Sequence, residues 1–224
     1  MGNLHIVATP IGNLSDITFR ALETLKNVDF ILCEDTRVTS ILLKKYEIEK
    51  PLYVLNAGNE DKKVDLYLNY IMDGKDAALV SDAGTPTISD PGCRIINKAK
   101  KMGIKIIGIP GASAAITALS MSGLPSDSFV FEGFLPQKKG RQTKLKQLAI
   151  EERTIVFYES MYRIEKLLNE LNEYLPNRLI IVFRELTKMF EEYWEGTPKE
   201  IIDSLSTKVI KGEFVVIIAP MKWK

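Results

Sequence analysis

Leu79-Val80-Ser81-Asp82-Ala83-Gly84-Thr85-Pro86-Thr87-Ile88-Ser89-Asp90-Pro91-Gly92 decides the reading of the fold. A short apolar run breaks into a loop dense in Gly, Pro, Ser, Thr and Asp, and a segment of helical period follows. Such a loop brings bare backbone amides and carbonyls close to a small ligand at the carboxyl end of a strand. It carries no Lys or Arg before Arg94. The arrangement recurs at Ile6-Val7-Ala8 into Thr9-Pro10-Ile11-Gly12-Asn13, and at Ile106-Ile107 into Gly108-Ile109-Pro110-Gly111-Ala112-Ser113. Three backbone-lined loops converging on one crevice point to an enzyme with an organic cofactor.

Around these loops, apolar runs at Leu4 to Ala8, Val28 to Cys33, Leu52 to Leu55, Ala77 to Val80 and Ile104 to Ile107 alternate with helix candidates near 16–25, 36–45, 59–73, 90–101 and 112–121. Alternation of this kind predicts βαβ units and a mainly parallel sheet covered on both faces. Gly123-Leu124-Pro125-Ser126-Asp127-Ser128 reads as a linker. Beyond it, strands are expected at Phe129 to Phe134, Thr154 to Tyr158, Leu179 to Arg184 and Phe214 to Ala219, with an antiparallel strand at Glu191 to Gly196. Helices are expected near 140–150, 161–174 and 198–206, giving a mixed sheet. The expected fold is two α/β domains, 1–122 and 126–224, with a cofactor cleft between them.

The 224 residues are 46% hydrophobic and 26% charged with net charge +1, so any nucleic acid must be bound through local patches. Cys33 and Cys93 have flanks that suggest buried or partly buried thiols, which suits a reducing cytoplasm. No apolar run reaches the roughly 18 residues of a membrane span, and a strand pattern begins too early for a signal peptide. A cytoplasmic protein is expected.

The chain contains neither G-x-x-x-x-G-K-[ST] nor G-x-G-x-x-G, and none of the three loops has a cation for a polyphosphate. Asp16, Asp82 and Asp90 add negative charge instead. A ligand with a cationic centre, one carboxylate and an adenine face is better served, because carbonyls and Asp side chains tolerate a sulfonium and helix-start amides take a carboxylate. S-adenosylmethionine fits that description; loops that only turn the chain are the alternative. His5, the sole histidine, lies inside the first strand and reads as packed, which argues against Ser–His or Cys–His nucleophiles. No metal is expected, since Glu34-Asp35 at a strand end more commonly caps a helix or meets an arginine such as Arg37.

Lys138-Lys139-Gly140-Arg141-Gln142-Thr143-Lys144-Leu145-Lys146 concentrates positive charge directly after Phe134-Leu135-Pro136. It reads either as a phosphate-gripping loop or as a solvated helix start. Arg20, Arg37, Arg163, Arg184 and Lys188 lie near expected strand ends or helix starts, where some can face the same cleft.

Thr9-Pro10-Ile11-Gly12-Asn13-Leu14, Glu34-Asp35-Thr36-Arg37, Ser81 to Gly92, Ile109-Pro110-Gly111-Ala112-Ser113-Ala114, Gly133-Phe134-Leu135-Pro136, Phe157-Tyr158-Glu159-Ser160 and Arg184-Glu185-Leu186-Thr187-Lys188 together resemble one group. It is the bacterial 16S rRNA (cytidine-2′-O)-methyltransferases of the tetrapyrrole methylase superfamily, and the resemblance runs in order from Leu4 to about Ala219. It implies two α/β domains, S-adenosylmethionine between them, 16S rRNA in the 30S subunit as substrate, and a homodimer. Carried over by position, Pro10 lines the cleft, and Asp82, Ala83, Gly84, Thr85, Ile88 and Ser89 cover the methionine part and the sulfonium. Ser113 and Ala114 follow from the third loop; Tyr158, Leu186 and Thr187 close over the adenosine, with Gly212 and Glu213 near the last strand.

The sequence departs from the group in two places. Tyr158-Glu159-Ser160-Met161-Tyr162-Arg163 stands where the group commonly has Tyr-Glu-Ser-Pro-His-Arg, so Tyr162 keeps a ring but no imidazole. The helical extension of many relatives is also expected to be missing. Methyl transfer to a ribose hydroxyl needs alignment and a proton acceptor, for which Glu34, Asp35 and Glu132 are candidates. The alternatives are a corrin or porphyrin methylase, a non-catalytic S-adenosylmethionine or RNA-binding module, and an NTP-dependent enzyme. Ala83-Gly84-Thr85-Pro86 counts against the first, since tetrapyrrole enzymes typically read Gly-Asp-Pro there.

Overall fold

Residues 1–223 are described by the computed structural model. The five apolar runs of the first half form β1 (Asn3–Val7), β2 (Phe30–Cys33), β3 (Leu52–Val54), β4 (Ala77–Leu79) and β5 (Lys105–Ile109). They pair in parallel in the order β3-β2-β4-β1-β5. Burial on both faces accounts for the continuous apolar sequence of β2 and β4, which are buried at every position, while the edge strands β3 and β5 are partly exposed. α1 (Phe19–Asn27) and α2 (Thr36–Lys45) cover one face, packing Ala21, Leu25 and Leu43 on Val7, Ile31 and Ala78. α3 (Glu60–Met72) and α4 (Cys93–Lys101) cover the other, packing Leu68, Ile71 and Ile95 on Leu4, Leu32 and Leu79.

Local chemistry sets the helix starts. α1 begins at Phe19 and not at 16, because Leu14–Asp16 forms a separate 3-10 turn and the Thr18 side chain accepts from the Ala21 N–H as a cap. α4 begins at Cys93, after Gly92, which has no side chain to cap with. Glu60 of α3 caps it instead, its Oε1 accepting from the N–H groups of Arg94 and Ile95 at 3.1 Å each. Gly92 stands at φ +122°, and a Cβ there would lie 2.7 Å from Leu79 Cδ2. Cys93 is exposed at the helix start, contrary to its sequence reading, while Cys33 is buried; both are free thiols.

The second half contains α5 (Ala114–Met121), β6 (Phe129–Phe134), α6 (Arg141–Ala149), β7 (Thr154–Ser160), α7 (Ile164–Tyr174), β8 (Ile180–Arg184), β9 (Glu192–Gly196), α8 (Pro198–Ser204) and β10 (Glu213–Ile218). Its mixed sheet has the order β6-β7-β10-β8-β9, with β6 and β7 parallel and the other pairs antiparallel. Phe157, Leu168, Val182 and Phe214 anchor its core. Thr197 and Glu200 form a reciprocal capping box at α8, with Pro198 in the first turn.

Two compact units divide the chain at Ser113/Ala114. The sequence puts the break at 123–128, but α5 packs on β7 and β10, and the Tyr158 hydroxyl accepts from the Ala115 N–H at 3.2 Å. Gly123 to Ser128 is therefore a connection inside the second unit. Among the described residues no helix is long and apolar enough to cross a membrane.

Candidate functional site

β1 and β4 are neighbours, yet the helices that follow them lie on opposite faces of the sheet: α1 with Ala21 and Leu25 on one, α4 with Ile95 and Ala99 on the other. Loops that diverge in this way leave a crevice at the carboxyl ends of the strands. The loops after β1, β4 and β5 border it and are tied to one another. Thr9 N–H donates to Gly84 O at 2.9 Å and Gly84 N–H returns to Thr9 O at 3.0 Å. The Thr9 hydroxyl donates to Ser81 O at 3.1 Å, and the Thr85 hydroxyl to Ala112 O at 3.1 Å.

These bonds change what the loops offer. The amide of Gly84 is spent on Thr9 and is not bare; the residue contributes close approach, since a Cβ would lie 3.3 Å from Ile11 Cγ2. Pro10 is buried beside it, while Ala83, Ile88 and Ser89 are exposed and Ser113 is half-buried at the end of the third loop. Thr87 and Ser89 hold φ of +73° and +69°, a region β-branched residues rarely enter. Strain of that kind persists only where the surroundings enforce it, and it concentrates at functional sites.

Carboxylates rim the same crevice. Glu34 and Asp35 follow β2, and Asp82 and Asp90 lie in the loop after β4, where Asp82 Oδ1 accepts from the Asp35 N–H at 3.1 Å. Burial lifts the Glu34 carboxyl to about 7; Asp90 and Asp82 add to the push, and a hydrogen bond from the Asp82 backbone opposes it. Burial also raises Asp90 to about 6, against a hydrogen bond from Ser81 and with help from Asp82. Asp35 moves the other way, to about 2, because the side chain and backbone of Arg37 hydrogen-bond to it. Asp35 caps α2, as its sequence position suggested. Among the described residues no group of three or more His, Cys, Asp or Glu could hold a metal ion.

In the second unit the other strained residues mark the loop after β8: Glu185 at φ +52° and Thr187 at +64°. Glu185 Oε1 accepts from Lys188 Nζ at 2.8 Å and from the Glu213 N–H at 3.0 Å. A Cβ on Gly212 would lie 2.3 Å from that oxygen, so glycine makes room for the Glu185 carboxylate. Gly212 and Glu213 thus fasten the loop that carries buried Leu186 and half-buried Thr187. Sequence reasoning missed Glu185 as the organiser; its place beside Leu186-Thr187 was the only signal.

The candidate phosphate-binding cations separate into two sets. Lys138 and Lys139 are exposed and make no ion pair with any described residue, and Arg20 is exposed, reaching Gly108 O at 3.4 Å. Arg141 and Arg184 are turned inward, against expectation. Arg141 bonds to Glu170 and Pro136 O; Arg184 bonds to Glu192 and Lys211 O. Arg37 is paired with Asp35, Lys188 with Glu185 and Glu213, and Arg163 with Glu159. Glu132 is held by Lys144 at 2.9 Å.

The fold is similar to that of a solved cobalt precorrin-4 methyltransferase, which aligns with TM-score 0.72 and 19% identity over 97% of this chain and 94% of that one. A uroporphyrin-III C-methyltransferase from Thermus thermophilus, complexed with S-adenosylhomocysteine, aligns with TM-score 0.68 and 16% identity over 97% of each chain. The sequence profile of the Tetrapyrrole (Corrin/Porphyrin) Methylases matches residues 3–202, and the chain belongs to that family. It is 45% identical to ribosomal RNA small subunit methyltransferase I of Thermotoga maritima over 98% of this chain and 99% of the relative. The relative of the same name from Haemophilus influenzae is 47% identical over 97% of this chain and 78% of its own length.

Proposed function

We propose that this chain is an S-adenosylmethionine-dependent methyltransferase that 2′-O-methylates the ribose of a cytidine in 16S rRNA, acting on the 30S subunit in the cytoplasm as a homodimer. The observation that carries this reading is the end-to-end match to the Thermotoga maritima small-subunit rRNA methyltransferase. The motif resemblance from Leu4 to Ala219 supports the finer choice of a cytidine 2′-oxygen. Exposed Phe19 and Ile41 on the first unit and Met189 and Phe190 on the second supply apolar surface that a second copy can cover.

The donor set suits the cofactor. The three loops of the first unit offer carbonyls and hydroxyls, and Asp82 and Asp90 in the loop after β4 give negative charge with no loop cation to oppose it. That is the wrong field for a triphosphate and the right one for a sulfonium. Pro10, Ala83, Thr85, Ile88, Ser89 and Ser113 are the residues assigned to it there, and Ala114, Tyr158, Leu186 and Thr187 those on the second unit. When bound, S-adenosylmethionine supplies an electrophilic methyl group. The loop cross-links Thr9–Gly84 and Thr85–Ala112 keep the binding surface fixed, so alignment costs little at the moment of reaction. The Glu34 carboxylate, with its pKa near neutrality, takes the proton of the ribose hydroxyl. Asp35 is committed to Arg37 and Glu132 to Lys144, which leaves both poorly suited to that role.

The test is incubation of the purified protein with radiolabelled S-adenosylmethionine and, separately, 30S subunits, naked 16S rRNA and a uroporphyrinogen. Label on a cytidine ribose of 30S rRNA supports the reading. Label on the tetrapyrrole alone, or none on RNA while cofactor binds in calorimetry, overturns it.

A further inference from the structure

We propose that Phe134 and Tyr162 form a stacking platform that receives an unpaired nucleobase of the RNA substrate, with Lys138 and Lys139 taking the adjoining phosphates. The proposal rests on the rRNA reading above and adds where the second unit holds the nucleotide.

Four observations meet at the carboxyl ends of β6 and β7. Phe134 closes β6 as a residue 52% exposed, although it is neighbour to an otherwise packed aromatic cluster. Its ring meets Tyr158 edge-on, with centroids 5.6 Å apart and planes at 62°, and Tyr158 meets Phe131 in the same manner at 5.1 Å. The Arg163 guanidinium lies 5.8 Å from the Phe134 centroid, a cation–π arrangement. Tyr162, the residue before it, is 85% exposed.

The surrounding backbone is fixed by buried charge. Glu159 has a fully buried side chain; it pairs with Arg163 at 2.7 Å and faces Arg141 at 3.8 Å. Arg141 also donates to Pro136 O at 3.0 Å and binds Glu170, while Arg163 reaches toward Leu135 O at 3.5 Å. Both arginines thereby pin the segment from Phe134 to Arg141 onto β7 and α7. Phe134 opens this segment with its side chain exposed, and Lys138 and Lys139 project from it without ion-pair partners among the described residues. An open ring, a second exposed ring and unpaired cations are what single-stranded nucleic acid needs: bases stack on aromatic faces and phosphates take the charge. A base held on such a platform fixes the position of the ribose attached to it, which alignment for methyl transfer needs.

The test uses the full chain, a short RNA hairpin with 2-aminopurine in its unpaired loop, a fully paired duplex and 30S subunits. The parent protein is expected to bind the hairpin and quench the probe. Phe134→Ala should weaken hairpin binding by about tenfold or more and leave duplex binding unchanged, with Phe134→Trp restoring both affinity and quenching. Tyr162→Ala should act in the same direction. A double Lys138→Ala, Lys139→Ala variant should weaken hairpin and duplex alike and flatten the salt dependence. Unchanged thermal unfolding and S-adenosylhomocysteine binding show that the variants are folded. Hairpin binding with intact quenching in both ring variants overturns the platform alone. A parent protein that binds S-adenosylhomocysteine but neither hairpin nor 30S subunits overturns the platform together with the rRNA reading.

Discussion

Replacing Glu34 with Gln separates two consequences of one buried carboxyl. In the folded chain this group keeps its proton up to about pH 7, whereas an unperturbed Glu releases it near 4.5. Between those values the folded state binds more protons than the unfolded one, so the group's contribution falls as pH rises through that window. The full shift corresponds to about 3 kcal/mol, and screening of a half-exposed side chain reduces this to about 1–2 kcal/mol. Glu34→Gln has no proton to lose. At about pH 8 it should therefore be more stable than the parent by about 1–2 kcal/mol, and at about pH 4 the two should agree. Urea unfolding across that range measures both. Methyl transfer should move oppositely: kcat/KM of the parent climbs through about pH 7, and the variant loses on the order of a hundredfold or more. A stabilised but inactive protein is the expected outcome, as for many residues kept for function at the expense of stability. Parallel stability–pH curves for parent and variant would refute the burial argument. Undiminished turnover in the variant would refute the role as base.

Gly212→Ala places a methyl 2.3 Å from Glu185 Oε1 at a residue with φ of +93°, and should cost about 1–3 kcal/mol and weaken S-adenosylhomocysteine binding, read by chemical unfolding and calorimetry. Arg141→Ala removes the cation paired with Glu170 and one of the two arginines facing buried Glu159, so urea unfolding should show a loss of about 3 kcal/mol, the lower end for a broken buried pair. In thermal-shift experiments S-adenosylmethionine at about a hundred times its Kd should stabilise the chain by about 2.7 kcal/mol, and ATP at equal concentration should not, because the first-unit loops carry no cation.

Strands and helices were legible because each carries its own period. The apolar runs of β2 and β4 are continuous because both are buried on both faces, and the polar turns between the strands say where the chain leaves the sheet. The start of α1 was misplaced because Ser15 and Asp16 look as capable of capping as Thr18. The unit boundary was misplaced because Gly123-Leu124-Pro125 breaks the chain as a linker would, while nothing in Ala114 to Met121 says which sheet the helix packs on. The crevice was readable from composition and order, but its internal bonding was not: a Gly amide spent on Thr9 and one left bare are the same letter. For the cations, the difference between buried Arg141 and exposed Lys138 lies in which acidic side chains fold back onto them, and Glu159 and Glu170 are far along the chain. Left-handed Thr87 and Thr187 carry no sequence signal, since threonine disfavours the conformation they adopt.

The segment between β6 and α6 is held by one kind of electrostatics and offers another. The Arg141–Glu159–Arg163 contacts are sheltered from solvent, so added salt reaches them little. Lys138 and Lys139 stand in water, where every mobile anion competes with a phosphate. Raising ionic strength should thus strip nucleic acid from the protein while the loop keeps its shape. A high-salt wash becomes a reversible way to clear RNA carried over from the cell and return a folded enzyme ready to rebind.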